Sequence, residues 1–136
     1  MNKQDKDLLL KDLCARLPYG LKVKCEKYPF PVTVLYAGDV DEVKFKETGG
    51  IEHIDLIKPY LRPVSSMTQK EVETYHKKNQ TSRLGALNVP IEHHLYRTQE
   101  CIDWLIRNHF DFRGLISKGL AITAPKGMYH IRNRGI

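Results

Sequence analysis

At 136 residues, 41% of them hydrophobic and 28% charged, the chain is long enough for one domain with its own core, or for a small barrel with a helical appendage. Seven prolines and nine glycines are too few for a low-complexity chain, and the opening apolar run Leu8–Leu10 is far short of a signal-peptide core or a membrane span, so a cytoplasmic protein is expected. The net charge of +6 is unevenly spread: residues 1–60 carry ten Lys/Arg and ten Asp/Glu, residues 61–136 carry twelve and six, and no acid follows Asp111.

Leu9, Leu10, Leu13, Cys14 and Leu17 recur at helical spacing, which predicts a helix over 3–17 that ends at Pro18 and Gly20. From Leu21 the period becomes two. Leu21, Val23 and Cys25 alternate with Lys22, Lys24 and Glu26, as in a half-buried strand. Tyr28-Pro29-Phe30-Pro31 interrupts it, and Val32 to Ala37 is continuously apolar, so this second strand is expected to be central.

Gly38-Asp39 is a turn signal, and Val43 to Glu47 alternates again before Thr48-Gly49-Gly50. Ile51 to Ile54 is a candidate fourth strand. Asp55 to Lys58 reads as one tight helical turn stopped by Pro59, with a last short strand over Tyr60 to Arg62. By element order this resembles an SH3-like barrel, a shape that serves protein binding, nucleic-acid binding and scaffolding alike. The expected class is therefore α+β: an N-terminal helix, a small antiparallel SH3-like barrel or meander within residues 1–63, and a helical, basic region over 64–136.

In that second region Thr68 and Glu71 stand at capping-box spacing at the head of a polar helix. The stretch from Lys77 to Pro90 keeps no period and reads as a loop or linker. Helical character returns from Pro90 to Asn108, where Cys101, Ile102, Leu105 and Ile106 form an apolar face bordered by Trp104. Asp111 can cap a short helix over Phe112 to Lys118 ended by Gly119, and Leu120 to Ile122 reads as a strand.

Three widely spaced cysteines, Cys14, Cys25 and Cys101, fit buried thiols better than a disulfide framework, and without a CxxC they define no zinc site. An enzyme would have to start from His93 and His94 near Glu92 and Cys101, or from His109 beside Asp111. Adjacent histidines on a helix point about 100° apart, so His93 and His94 do not share one metal. Asp111 has a capping role and His109 ends an apolar helical face. No dinucleotide, P-loop, zinc-protease or nucleophile-elbow motif is present, so no catalysis, metal or cofactor is expected.

Asp103-Trp104-Leu105, the run Asn108 to Ile116, Lys118 to Ile122 and Ala124 to Tyr129 together carry a resemblance, as do Leu8 to Gly20 and Ile57 to Pro63 leading into Ser65 to Thr68. The chain resembles small proteins of phages, prophages and mobile elements of gut anaerobes, a group with no established activity. The resemblance implies a genomic setting, and it covers both ends and the middle of the chain but not residues 77–100.

Two binding functions follow as expectations. The first is an accessory protein that acts as a protein-interaction module or an inhibitor of a host complex, through Tyr28, Phe30 and Tyr60, although the same aromatics also suit a small core. The alternative is non-specific nucleic-acid binding by Arg113, Lys118, Lys126, Arg132 and Arg134, with Tyr129 stacking on bases, against which stands a merely solvated terminus. Oligomeric state is left open.

Overall fold

The computed structural model describes residues 1–37, 41–79 and 99–129. Helix α1 (Lys3–Arg16) starts where the Asn2 side chain accepts the Asp5 N–H at 2.8 Å. It tightens into a 3-10 turn over Leu17–Tyr19, with Pro18 inside it, and stops at Gly20, whose φ of 68° suits glycine. The buried stripe of α1 is Leu9, Asp12, Leu13 and Arg16, so Cys14 is exposed and not the buried thiol expected. An ion pair one turn apart, Asp12 with Arg16, occupies the space that an all-apolar stripe would have filled.

Six strands form one sheet: β1 (Lys22–Cys25), β2 (Val32–Ala37), β3 (Glu42–Phe45), β4 (Ile51–His53), β5 (Ile57–Leu61) and β6 (Ile122–Thr123). Their order is β4-β3-β2-β1-β5-β6, antiparallel throughout except for β5 with β6. The protein is thus α+β, with a mostly antiparallel sheet. The expected barrel closure is not seen among the described residues, because β4 and β6 remain as edges. Alternation in β1 is as expected, with Leu21, Val23 and Cys25 fully buried. β2 is internal to the sheet but not buried on both sides: its register shifts between Val34 and Tyr36, and Leu35 and Tyr36 are both exposed.

A 3-10 turn does precede the fifth strand, but over Ile54–Leu56, and Pro59 does not stop it. Pro59 lies within β5 opposite Val23. Glu26 N–H donates to the Leu56 carbonyl, so alternation makes Lys24–Lys58 a hydrogen-bonded pair and Val23–Pro59 a non-bonded one. The missing proline N–H therefore points away from β1, and no rung of that ladder is lost.

Helix α2 (Gln69–Asn79) opens with the expected reciprocal cap: Thr68 N–H donates to Glu71 at 2.9 Å, and Glu71 N–H to the Thr68 hydroxyl at 3.2 Å. It runs through Lys77, where a loop had been expected to begin; the rest of that loop, with Glu92, His93 and His94, lies outside the described residues. Helix α3 (Gln99–Arg107) buries Cys101, Trp104, Leu105 and Ile106. It ends with His109 at φ 60°, the Phe110 N–H bonded to the Leu105 carbonyl and the His109 N–H to that of Ile106, which is a left-handed helix cap. Asp111 does act as a cap, accepting from Leu115 N–H at 2.8 Å and Ile116 N–H at 2.9 Å. What it caps is a set of turns and not the expected helix, since Gly114 takes φ 74° inside that span, while Gly119, also at φ 74°, ends the last turn.

Two apolar clusters result. One joins Leu9 and Leu13 of α1 to the inner face of the sheet and is completed by Leu115, Leu120 and Ala121. The other gathers Val64, Tyr75, Cys101, Trp104, Leu105 and Phe110. Among the described residues no helix is long and apolar enough to cross a membrane.

Candidate partner-binding surfaces

Beyond β1 the two prolines around Phe30 cannot donate to a ladder, and the chain turns, with the Tyr28 N–H bonded to the Cys25 carbonyl at 3.1 Å. The Tyr28 ring meets Phe45 edge-on at 5.7 Å and Phe30 at 5.8 Å. Tyr28 is thereby rooted in the core while Phe30, held against it, stays 47% exposed. The Tyr28 hydroxyl closes over Gly50, where a Cβ would meet it at 2.5 Å. The next residue, Ile51, is about half exposed, and register places it opposite Lys44, itself opposite Tyr36. Lys44 Nζ lies 5.9 Å from the Tyr36 ring centroid.

Leu35, Tyr36 and Ile51 are thus exposed on β2 and β4, as is Phe30 on the turn before β2, and nothing in the chain order alone marks Leu35, Tyr36 or Ile51 as surface residues. The signal for Leu35 and Tyr36 lies in the run Val32 to Ala37, apolar but for Thr33, which a sheet with only one covered face cannot bury on both sides. Tyr60 is not brought to this surface by any ring contact. It lies on β5 opposite Ile122 of β6, half-buried, with its carbonyl accepting the Tyr129 hydroxyl at 2.7 Å.

Of the basic C-terminal set, Arg113 and Tyr129 are engaged within the fold. Arg113 Nε donates to Asp12 at 3.0 Å and the guanidinium lies 4.6 Å over the Phe112 ring. Tyr129 stacks on His109 with ring centroids 4.0 Å apart, so one of its faces is already occupied. Lys118 and Lys126 are exposed and make no ion pair among the described residues. Arg132 and Arg134 lie outside the described residues.

A buried polar network ties the two clusters together. Arg16 binds Asp12 through Nε at 2.9 Å and Nη2 at 3.1 Å, and Nη2 also donates to the Phe110 carbonyl at 2.6 Å. Arg62 Nη2 donates to both Glu71 oxygens at 2.8 and 2.9 Å, and its guanidinium covers the other side of the same residue, 4.1 Å over the Phe110 ring. His109 sits beside this network with Nε2 at 2.8 Å from the Tyr19 carbonyl. Burial pushes its pKa down to about 4, so the ring is neutral near pH 7 and Nε2 carries the proton it donates. Its Nδ1 is buried without a hydrogen-bond partner among the described residues. Burial likewise pushes the Cys101 thiol up to about 11, which keeps it protonated and poorly nucleophilic.

No group of three His, Cys, Asp or Glu among the described residues could hold a metal ion. An open cleft of about 480 Å³ lies between Pro63-Val64-Ser65 and the turns from Asp111 to Ser117. Its polar groups are largely committed elsewhere: the Asp111 carboxylate to two N–H groups, Arg113 to Asp12 and the Ser117 hydroxyl to the Gly114 carbonyl. No family model, no curated protein and no solved structure matches the chain.

Proposed function

We propose that this chain acts by binding a protein partner and not by catalysis, through the surface formed by Phe30 and the outer face of β2 to β4. The observation that carries the reading is the exposure of Phe30, Leu35, Tyr36 and Ile51, four large apolar side chains on the β1–β2 turn and the neighbouring strands. Exposed apolar surface flanked by charge marks interaction sites, and here Lys44 lies between Tyr36 and Ile51, with the exposed Glu42 two residues before it on β3. The aromatic ring of Phe30 is held by Tyr28, so it meets a partner with little loss of freedom. The order β4-β3-β2-β1-β5, with a 3-10 turn before β5, supports an SH3-like reading of the sheet. In the mobile-element setting that the sequence resembles, the role would be an accessory factor that occupies a host complex.

The test is an affinity capture from the organism carrying the chain, with lysine-directed crosslinking and mass spectrometry. Wild type is compared with a Phe30→Ser/Ile51→Ser variant, whose exposed positions leave thermal unfolding nearly unchanged. The expected result is one partner crosslinked through Lys44 or Lys46 and lost in the variant. A partner retained by the variant, or crosslinked only on the opposite side of the sheet, would overturn the assignment.

A further inference from the structure

The charge balance of the first sixty residues hides a local excess that only the register exposes. On the outer face of β1 and β5, Lys24 stands directly opposite Lys58. Both are exposed, and neither makes an ion pair among the described residues. Lys22 lies on the same face two residues earlier, about 6.8 Å along the strand. Continuing the register puts Tyr60 opposite Lys22, and the Tyr129 hydroxyl, bonded to the backbone of both, confirms that these two residues face each other.

Like charges directly opposed across a ladder destabilise a sheet, whereas a lysine opposite a carboxylate stabilises it. Other lysines of the chain reach a carboxylate, Lys27 on Glu52 at 2.9 Å and Lys6 on Asp41 at 3.4 Å, though not across a ladder. Lys24 and Lys58 reach none among the described residues. A repulsive pair of this kind is relieved by an anion laid across it.

We propose that the outer face of β1 and β5 binds single-stranded nucleic acid, with Lys24 and Lys58 on the phosphates and Tyr60 beneath a base, while Lys22 is held by the Thr33 hydroxyl at 3.4 Å. Lysines alone fit any polyanion. Tyr60 decides between them, because a half-buried aromatic among cations on an open sheet face is a stacking platform for an unpaired base, while an acidic peptide has no use for it. This surface lies on β1 and β5, and the one proposed above on Phe30 and strands β2 to β4 of the same sheet; the variants that test the two share no residue.

Fluorescence anisotropy with a labelled oligothymidine of about 15 nucleotides, at about 50 and 200 mM salt, tests the proposal. Lys24→Ala/Lys58→Ala is expected to weaken binding at least ten-fold at the lower salt and to reduce the log–log salt slope by about 1.4, the share of two phosphate contacts. Tyr60→Val is expected to weaken it roughly five-fold or more with the slope unchanged, the signature of lost stacking. The lysine variant should unfold at or above the parent's temperature, since a repulsion is removed, which separates lost binding from lost folding. No binding at low salt, binding indifferent to Lys24→Ala/Lys58→Ala, or equal affinity for a duplex or a polyglutamate peptide of the same charge would each overturn it.

Discussion

Tyr129 and His109 lie ring on ring at 4.0 Å, and from that stack the phenol hydroxyl reaches between two strands. It accepts the Lys22 N–H at 3.0 Å and donates to the Tyr60 carbonyl at 2.7 Å, standing in for the rung that β1 and β5 would otherwise make there. Tyr129→Phe keeps the stack and removes the rung. Two backbone groups lose their partner, so a loss of about 1–3 kcal/mol is expected. The urea midpoint reads it, and an unchanged midpoint would show that water replaces the hydroxyl at no cost.

His109 makes stability depend on pH. Its folded pKa of about 4 lies below the ordinary 6.5, chiefly through burial, so the unfolded chain takes up the proton first as pH falls. The stability it contributes is complete above about pH 6.5 and declines as pH falls towards 4, by roughly 2 kcal/mol at pH 4.5. His109→Asn, a residue that tolerates the left-handed backbone, should be less stable at pH 7 yet lose less on acidification. Denaturation curves at both pH values for the two proteins give the difference; parallel losses would exonerate the imidazole.

Asp12 pairs with two guanidiniums, Arg16 at 2.9 Å and Arg113 at 3.0 Å, in a fully buried position. Removing only the acid leaves the Arg16 charge buried without its partner, and Asp12→Ala is expected to cost about 3–5 kcal/mol. The pair Asp12→Leu/Arg16→Met should recover part of that loss, because the fully buried Arg16 charge is then gone and only the partly exposed Arg113 is left without its acid. Should the double variant be less stable than Asp12→Ala, the Arg16 bonds to the Ile106 and Phe110 carbonyls matter more than the ion pair.

Gly50 is required by a neighbour and not by its backbone angle. An added Cβ would stand 2.5 Å from the Tyr28 hydroxyl, so Gly50→Ala is expected to cost about 1–3 kcal/mol through overpacking. Tyr28→Phe removes the offending oxygen. The combined variant should therefore be more stable than Gly50→Ala alone, a sign of coupling that a double-mutant cycle in denaturant measures directly.

Features decided by a few neighbouring residues were readable in advance. The alternation of Leu21 to Glu26 needed only one wet face, and the cap at Thr68 and Glu71 needed only three residues of spacing. Asp12 and Arg16, by contrast, look like any exposed pair at helical spacing. Their burial depends on the Phe110 carbonyl, 94 positions beyond Arg16. Tyr129 looked available for stacking because nothing local announces His109 as its companion. The composition of Val32 to Ala37 predicts a central strand, and β2 is internal to the sheet, yet around its register shift Leu35 and Tyr36 are both exposed. The Lys24–Lys58 opposition requires the pairing of two strands that are not consecutive, which no count of charges along the chain reveals.

The hydroxyl rung joins positions 107 residues apart. A ribosome making this chain releases β1 and β5 long before Tyr129 exists, so the young sheet waits with a gap between its first and fifth strands. Leu115, Leu120 and Ala121, which complete its core, also arrive late. Long-range closure of this kind slows folding and leaves strand edges open meanwhile. Whatever occupies the gap during synthesis, a water, a chaperone or a neighbouring nascent chain, must give way to a side chain made 107 residues after Lys22.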